Sequence, residues 1–135
     1  MTRFVLLFLV ACSETAPLEA APPTAGEAAP AVETVQNRDV AALAAALPGA
    51  PFLIDVRTAD EYASGHVPGA RNIPLDQLES RLSELEPHRG DDVWVVCHSG
   101  SRSARASRLL ASAGFRTINV EGGTSAWIAA GHPTE

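Results

Sequence analysis

One cysteine stands where an apolar run gives way to a helical pattern. Residues 93–96 are Val-Trp-Val-Val, which reads as a short buried strand, and Cys97 follows at its carboxyl end. Six small, polar or basic residues come next: His98, Ser99, Gly100, Ser101, Arg102 and Ser103. Helical spacing opens at Ser103, with Ala104, Ala106, Leu109, Leu110 and Ala113 as its apolar positions. Open α/β sheets hold ligands at the carboxyl ends of their strands. A helix amino terminus there collects free N–H groups and partial positive charge. A free thiol titrates near ~8.5, and such surroundings lower that value. The loop can turn successive amides inward as an anion nest, Gly100 permits the positive φ a nest needs, and Arg102 adds a full charge. The chemistry favoured is nucleophilic attack by the Cys97 thiolate, with a cradle for a small oxyanion beside the sulfur. A buried, inert cysteine at a strand end is the competing reading. Six polar neighbours and a helix start speak against it.

The rest of the chain has to position that loop. Asn37 is expected to cap a helix over roughly Arg38–Leu47, ended by Pro48-Gly49. Pro51–Val56 reads as a buried strand ending near Asp55. Thr58 with Glu61 three residues on forms a capping box for a short helix. Gly65–Pro74 is rich in turn residues and holds a short strand around Ala70–Ile73. From Leu75, leucines at 75, 78, 82 and 85 share one helical face, and Pro87–Asp92 breaks the chain. Beyond the Ser103 helix, Gly114 suits the position just past a helix end. Arg116–Val120 is a further strand, and a last short helix is expected with Thr124 as its cap. Strands alternating with helices predict an α/β domain, a mostly parallel central sheet with helices on both faces.

Composition sets the outer limits. With 46% hydrophobic and 19% charged residues, 135 residues supply one packed domain plus appendages. A net charge of −6 argues against nucleic acid as a partner. Every basic residue is arginine. The two cysteines, Cys12 and Cys97, lie far apart, and no zinc spacing surrounds either, so neither a metal nor another cofactor is expected.

The amino terminus has one arginine before an apolar run from Phe4 to Ala11, too short to cross a bilayer, which needs ~20 residues. It fits a secretory signal over residues 1–11. Leu9-Val10-Ala11-Cys12 resembles a bacterial lipobox, which implies cleavage before Cys12 and lipidation of that cysteine, with acyl chains as the membrane anchor. Residues 12–34 are Ala, Pro, Glu and Thr in the main, with no basic residue, and read as a disordered tether. The domain then spans residues 35–135. This arrangement predicts a domain in a bacterial cell envelope, lipid-anchored and facing the periplasm.

Three motifs in order bring a family into view. Cys97–Ser103, Cys-His-Ser-Gly-Ser-Arg-Ser, closely resembles the Cys-x-x-Gly-x-Arg-Ser loop of rhodanese-fold sulfurtransferases. Leu53–Pro74 resembles that family's Asp-Val-Arg, Glu-Tyr, Gly-His and Pro-Gly-Ala-x-Asn-Ile-Pro signature, and Val120–Trp127 resembles its closing Gly-Gly-x-x-x-Trp. The resemblance implies a rhodanese-like fold in which Cys97 attacks the outer sulfur of a donor such as thiosulfate and becomes a persulfide held by the amides of residues 98–103. A thiol, cyanide or a protein acceptor then removes that sulfur. Asp55 and Arg57 are read as a structural pair near the site. His66 is read as a turn residue, Tyr62 as a core ring, and Trp94 and Trp127 as packing residues. His98 either alters charge near the donor or is a solvated loop residue. Arg102 either contacts substrate or braces the loop through Asp55 or Glu61. Two rival functions remain. Phosphatases and arsenate reductases share the fold with a Cys-x5-Arg loop, one residue longer than this one, and non-catalytic modules commonly lack the cysteine.

Overall fold

The computed structural model describes residues 35–135; the expectations for a signal, a tether and Cys12 fall on residues 1–34, outside the described residues. Five strands, β1 (Val35–Arg38), β2 (Phe52–Asp55), β3 (Arg71–Asn72), β4 (Asp92–Val96) and β5 (Arg116–Val120), form one sheet in the order β1-β5-β4-β2-β3. Every pairing is parallel. The helices are α1 (Val40–Ala46), α2 (Ala59–Ala63), α3 (Leu75–Leu78), α4 (Ser101–Ser112) and α5 (Gly123–Ala129).

Alternation along the strands divides the core in two, because successive side chains leave opposite faces of a strand. Ile54, Val93 and Val95 point to one face, with Ala106 and Leu110 of α4, Leu78 of α3, and Leu85 and Phe115. Leu53, Val96 and Val120 point to the other, with Leu43 of α1 and Trp127 of α5. Burial on both faces explains why β2 and β4 read as continuous apolar runs. Helix α4 turns Ser103, Ala106, Ser107, Leu110 and Ala111 inward. Small residues on that stripe let the helix lie close on the sheet. Its end is a Schellman motif: the Gly114 amide donates to Ala111 O at 3.0 Å and the Phe115 amide to Leu110 O at 3.0 Å. Gly114 supplies the required positive φ, +94°.

Three local expectations are corrected. Asn37 and Arg38 belong to the strand Val35–Arg38 and do not cap or open a helix; Asp39 caps α1, its Oδ1 accepting from the Ala42 amide at 2.8 Å. β1 owes its form to pairing with distant β5, which a local pattern does not carry. The leucine helix is α-helical only to Leu78, then continues as a 3-10 segment, Glu79–His88, kinked at Arg81 and including Pro87. The leucines still reach the core, since near-threefold spacing serves either helix type. Helix α4 opens at Ser101, two residues earlier than expected, because Gly100 rather than a side chain makes the turn.

Candidate active site

β4 is the central strand, and Cys97 follows directly on its carboxyl end. Gly100, at φ +102°, reverses the chain and leads into α4. Its amide donates to Cys97 Sγ at 3.0 Å. A Cβ at this glycine would stand 3.2 Å from the Gly122 nitrogen, so the loop and the start of α5 are already in contact.

That contact turns the loop's carbonyls away from the sulfur. The Thr124 amide donates to Cys97 O at 2.7 Å, the Thr124 hydroxyl to the same oxygen at 3.1 Å, and the Ser125 amide to His98 O at 2.9 Å. Gly122 and Gly123, both at positive φ, make this approach possible. A Cβ on Gly123 would lie 2.2 Å from Cys97 O. The expectation for Thr124 is thus corrected: Gly122 caps α5, and Thr124 is a buried residue inside the helix that holds the loop.

With carbonyls outward, amides face in. Cys97 is fully buried, and burial pushes its thiol pKa up. The Ser103 hydroxyl and the amides of Ser103, Gly100 and Ser99 together outweigh burial, so the thiol lies below its ordinary value. An inert cysteine of the core lacks such donors. His98, Ser99 and Ser101 are exposed on the loop.

Arg102 braces rather than points at the sulfur. Its Nη1 and Nη2 reach Glu61 Oε2 and Oε1, both at 2.8 Å. Glu61 also completes the capping box, accepting from the Thr58 amide at 3.0 Å. The Arg102 guanidinium holds the Glu61 carboxyl far below the usual carboxylate range. Asp55 takes the other arginine: Arg57 Nη2 lies 2.7 Å from Asp55 Oδ2, and both side chains are buried. Arg57 Nη2 also donates to Gly65 O at 2.8 Å, and Asn72 Nδ2 to the carbonyls of Asp55 and Arg57, so this pair ties β2 to the turns beside it. His66 Nδ1 lies 3.0 Å from Tyr62 O, a turn residue as expected. Tyr62 is half-buried at the rim of the core, its hydroxyl donating to Ala70 O at 2.6 Å. Trp127 is buried and Trp94 partly so.

A cavity of about 410 Å³ flanks Arg102, walled by Val56, Thr58, Leu75, Arg105 and Leu109. The larger groove, about 940 Å³, opens at the amino ends of β2, β4 and β5 around Phe52, Trp94 and Arg116, away from the cysteine. The residues whose role at the loop pattern alone missed are Gly123, whose lack of a Cβ lets α5 approach, Thr124, which donates to Cys97 O, and Asn119, whose Oδ1 lies 2.6 Å from the Ser103 hydroxyl. The double glycine was the available signal for the first two. Polar residues inside the apolar β5 run were the signal for Asn119.

Known proteins are similar to this chain. The chain is 41% identical over 76 residues to the putative sulfur carrier protein YrkF of Bacillus subtilis, covering 56% of this chain and 40% of that protein's length. It is 37% identical over 70 residues to the thiosulfate sulfurtransferase PspE of Escherichia coli, covering 52% of this chain and 67% of that one. The crystal structure of a rhodanese-related protein from Thermoplasma volcanium superposes with a TM-score of 0.69 at 32% identity, covering 74% of this chain and 97% of that one. Residues 39–130 match the family model for the Rhodanese-like domain, and the chain belongs to that family.

Proposed function

We propose that the protein is a sulfurtransferase that carries sulfane sulfur on Cys97. The observation that carries this reading is the Gly100 amide on the Cys97 sulfur at 3.0 Å, in a loop whose carbonyls are tied back by Thr124 and Ser125. Relatives named as sulfurtransferases support it. The Cys97 thiolate attacks the outer sulfur of thiosulfate; the new S–S bond forms as the donor's S–S bond breaks, and sulfite leaves with the electron pair. The terminal persulfide sulfur carries the negative charge, which the loop amides of residues 98–103 stabilise. A thiolate, cyanide or a protein thiol attacks that terminal sulfur, the enzyme's S–S bond breaks, and Cys97 returns as thiolate. No cofactor enters either step.

Arg102 favours sulfur transfer over oxyanion-ester chemistry. Both of its terminal nitrogens are engaged by Glu61, and the Cys-x4-Arg loop is shorter than the Cys-x5-Arg loop of the phosphatases. A phosphoryl group needs donors on three peripheral oxygens, each within ~2.7–3.2 Å. The lipobox-like Leu9–Cys12 supports the further proposal that Cys12 carries a lipid and holds the domain at the envelope on the periplasmic side. Mass spectrometry of the soluble domain after thiosulfate treatment tests the central reading. One added sulfur on Cys97, removed by cyanide, is the expected result; an unmodified protein would reject it.

A further inference from the structure

Ser103, whose amide and hydroxyl both act on the Cys97 sulfur, is joined by polar side chains to the edge of the sheet. The Ser103 hydroxyl lies 2.6 Å from Asn119 Oδ1 and 3.1 Å from the Gly100 carbonyl. Asn119 Nδ2 donates to Asn37 Oδ1 at 3.1 Å. Ser103 is fully buried and Asn119 nearly so, while Asn37 is exposed on β1 as the register partner of Asn119 on β5. The distances settle the direction. A separation of 2.6 Å is short for N–H···O and ordinary for O–H···O, whereas 3.1 Å suits N–H···O. Ser103 therefore donates to Asn119, and the amide NH2 faces Asn37.

A hydroxyl has one proton to give. We infer that Asn119 is a positioning residue for Cys97: its Oδ1, oriented by Asn37, takes the Ser103 proton, and Ser103 can serve the sulfur only by leaving Asn119. This deepens the proposed function and rests on Cys97 being its reactive centre. When Cys97 is a thiol, its S–H can donate to the Ser103 oxygen. When the thiol proton leaves to solvent, the hydroxyl turns toward the sulfur, and no covalent bond of Ser103 or Asn119 changes. The buried Asn119 oxygen then loses its donor, which disfavours ionisation. The chain through Asn37 thus holds the sulfur less acidic than a Ser103 hydroxyl free of Asn119 would leave it. The chemical benefit is balance. Nucleophilicity falls as a thiol's pKa falls, and an over-stabilised persulfide gives up its sulfur slowly.

The charged groups around the sulfur are matched in pairs, Arg102 with Glu61 on α2 and Arg57 with Asp55 on β2, with His98 exposed on the loop. None of these groups is altered by Asn119→Leu or Asn37→Ala. Iodoacetamide alkylation of Cys97 is followed against pH in the wild type, Asn119→Leu and Asn37→Ala. Both variants release the Ser103 proton from Asn119, the second by letting the Asn119 amide turn over, and leave it to the sulfur and the Gly100 carbonyl. The expected result is a lower midpoint, with alkylation below it about threefold to tenfold faster, the worth of one neutral hydrogen bond. In a Ser103→Ala background the gain should vanish, since no proton remains to redistribute. A midpoint unchanged or raised in both variants overturns the inference, because a purely structural role would move only the melting temperature. Asn37→Ala removes only an exposed amide, so the test stands if Asn119→Leu does not fold. Alkylation needs no sulfur donor. A shifted midpoint without thiosulfate sulfur transfer would keep the positioning role and reject the proposed function.

Discussion

The carbonyl oxygen of Cys97 takes two hydrogen bonds from a single residue, Thr124, at 2.7 Å from its amide and 3.1 Å from its hydroxyl. The cysteine's own backbone is therefore anchored by α5, 27 residues away in sequence. Gly123→Ala would drive a methyl into that contact, 2.2 Å from the oxygen. The loop must move, and a displacement of ~1 Å at a reacting group costs on the order of 100-fold in rate. Thiosulfate sulfur transfer should fall by that order. Thr124→Val removes only the hydroxyl bond and should cost about 1 kcal/mol of stability. Steady-state assays and thermal unfolding of the two variants check both halves.

The depressed Cys97 pKa predicts an alkylation midpoint below the free-thiol value of ~8.5. The sign for stability follows from proton linkage. The folded state releases the thiol proton at lower pH than the unfolded chain, so the stabilisation is fully present above the unfolded value and is lost as pH falls through the folded one. Wild type measured against Cys97→Ser should gain stability with rising pH across that window, in denaturant titrations at several pH values. Cys97→Ser should also abolish sulfur transfer, since a hydroxyl forms no persulfide.

Glu61 titrates in the opposite region of the scale. Its carboxyl is held down by Arg102, so the pair contributes above the unfolded carboxylate value of ~4.3 and fades as pH falls below it toward the folded value. Both side chains are about one-third exposed, which keeps the contribution below about 1 kcal/mol. Glu61→Gln should therefore be less stable than wild type at neutral pH, with the difference closing in acid. Equal stability of the two proteins at neutral pH would count against the brace.

Loop length is tested by insertion. One glycine added between Gly100 and Ser101 lengthens the cradle to the phosphatase spacing while displacing the amides that meet the sulfur. Sulfur transfer should fall, and aryl phosphate hydrolysis should gain little, because donors for three oxygens must also be aligned. Side-by-side assays with Cys97→Ser as the blank decide it. Efficient Cys97-dependent phosphate release by the unaltered protein, without sulfur transfer, would overturn the proposed function.

Ser107 offers a stability test away from the chemistry. Its hydroxyl oxygen is buried on α4 with no hydrogen-bond partner. Alanine keeps the helix and removes an unsatisfied group, so Ser107→Ala should be neutral or more stable by about 1 kcal/mol. Thermal unfolding measures it, and sulfur transfer should be unchanged.

How much of this was legible beforehand depended on the range of the interaction. The Thr58–Glu61 capping box, the apolar β4 and the Gly114 helix end are fixed within a few residues, and each was read from local spacing. The place of Cys97 just past β4, with the Gly100 amide on its sulfur, is local as well, because a nest is a property of consecutive amides. β1 was not legible, since residues 35–38 become a strand only by lying against residues 117–120. Arg102 had two candidate partners in the sequence, Asp55 and Glu61, and the structure assigns Asp55 to Arg57 and Glu61 to Arg102. Thr124 was misread for a related reason. A threonine near a helix start satisfies the local rule for a cap, and only the tertiary approach of Gly123 to Cys97 shows that its hydroxyl faces the loop.

The pairing of β1 with β5 has a kinetic meaning. Asn37 and Asn119 lie 82 residues apart along the chain, yet one donates to the other across adjacent strands. Non-local contacts of this kind carry the full entropy of loop closure, and parallel strands form slowly for that reason. During synthesis the first strand of the domain leaves the ribosome long before the strand it pairs with exists. Until then β1 is an unpaired edge, short and carrying Arg38, features that blunt association with other chains. The sheet closes only when its last strand arrives, and the loop around Cys97 gains its supporting layer at the same moment. A ribosome-released fragment ending before β5 would hold the cysteine and its nest sequence, but not the surface that shapes them.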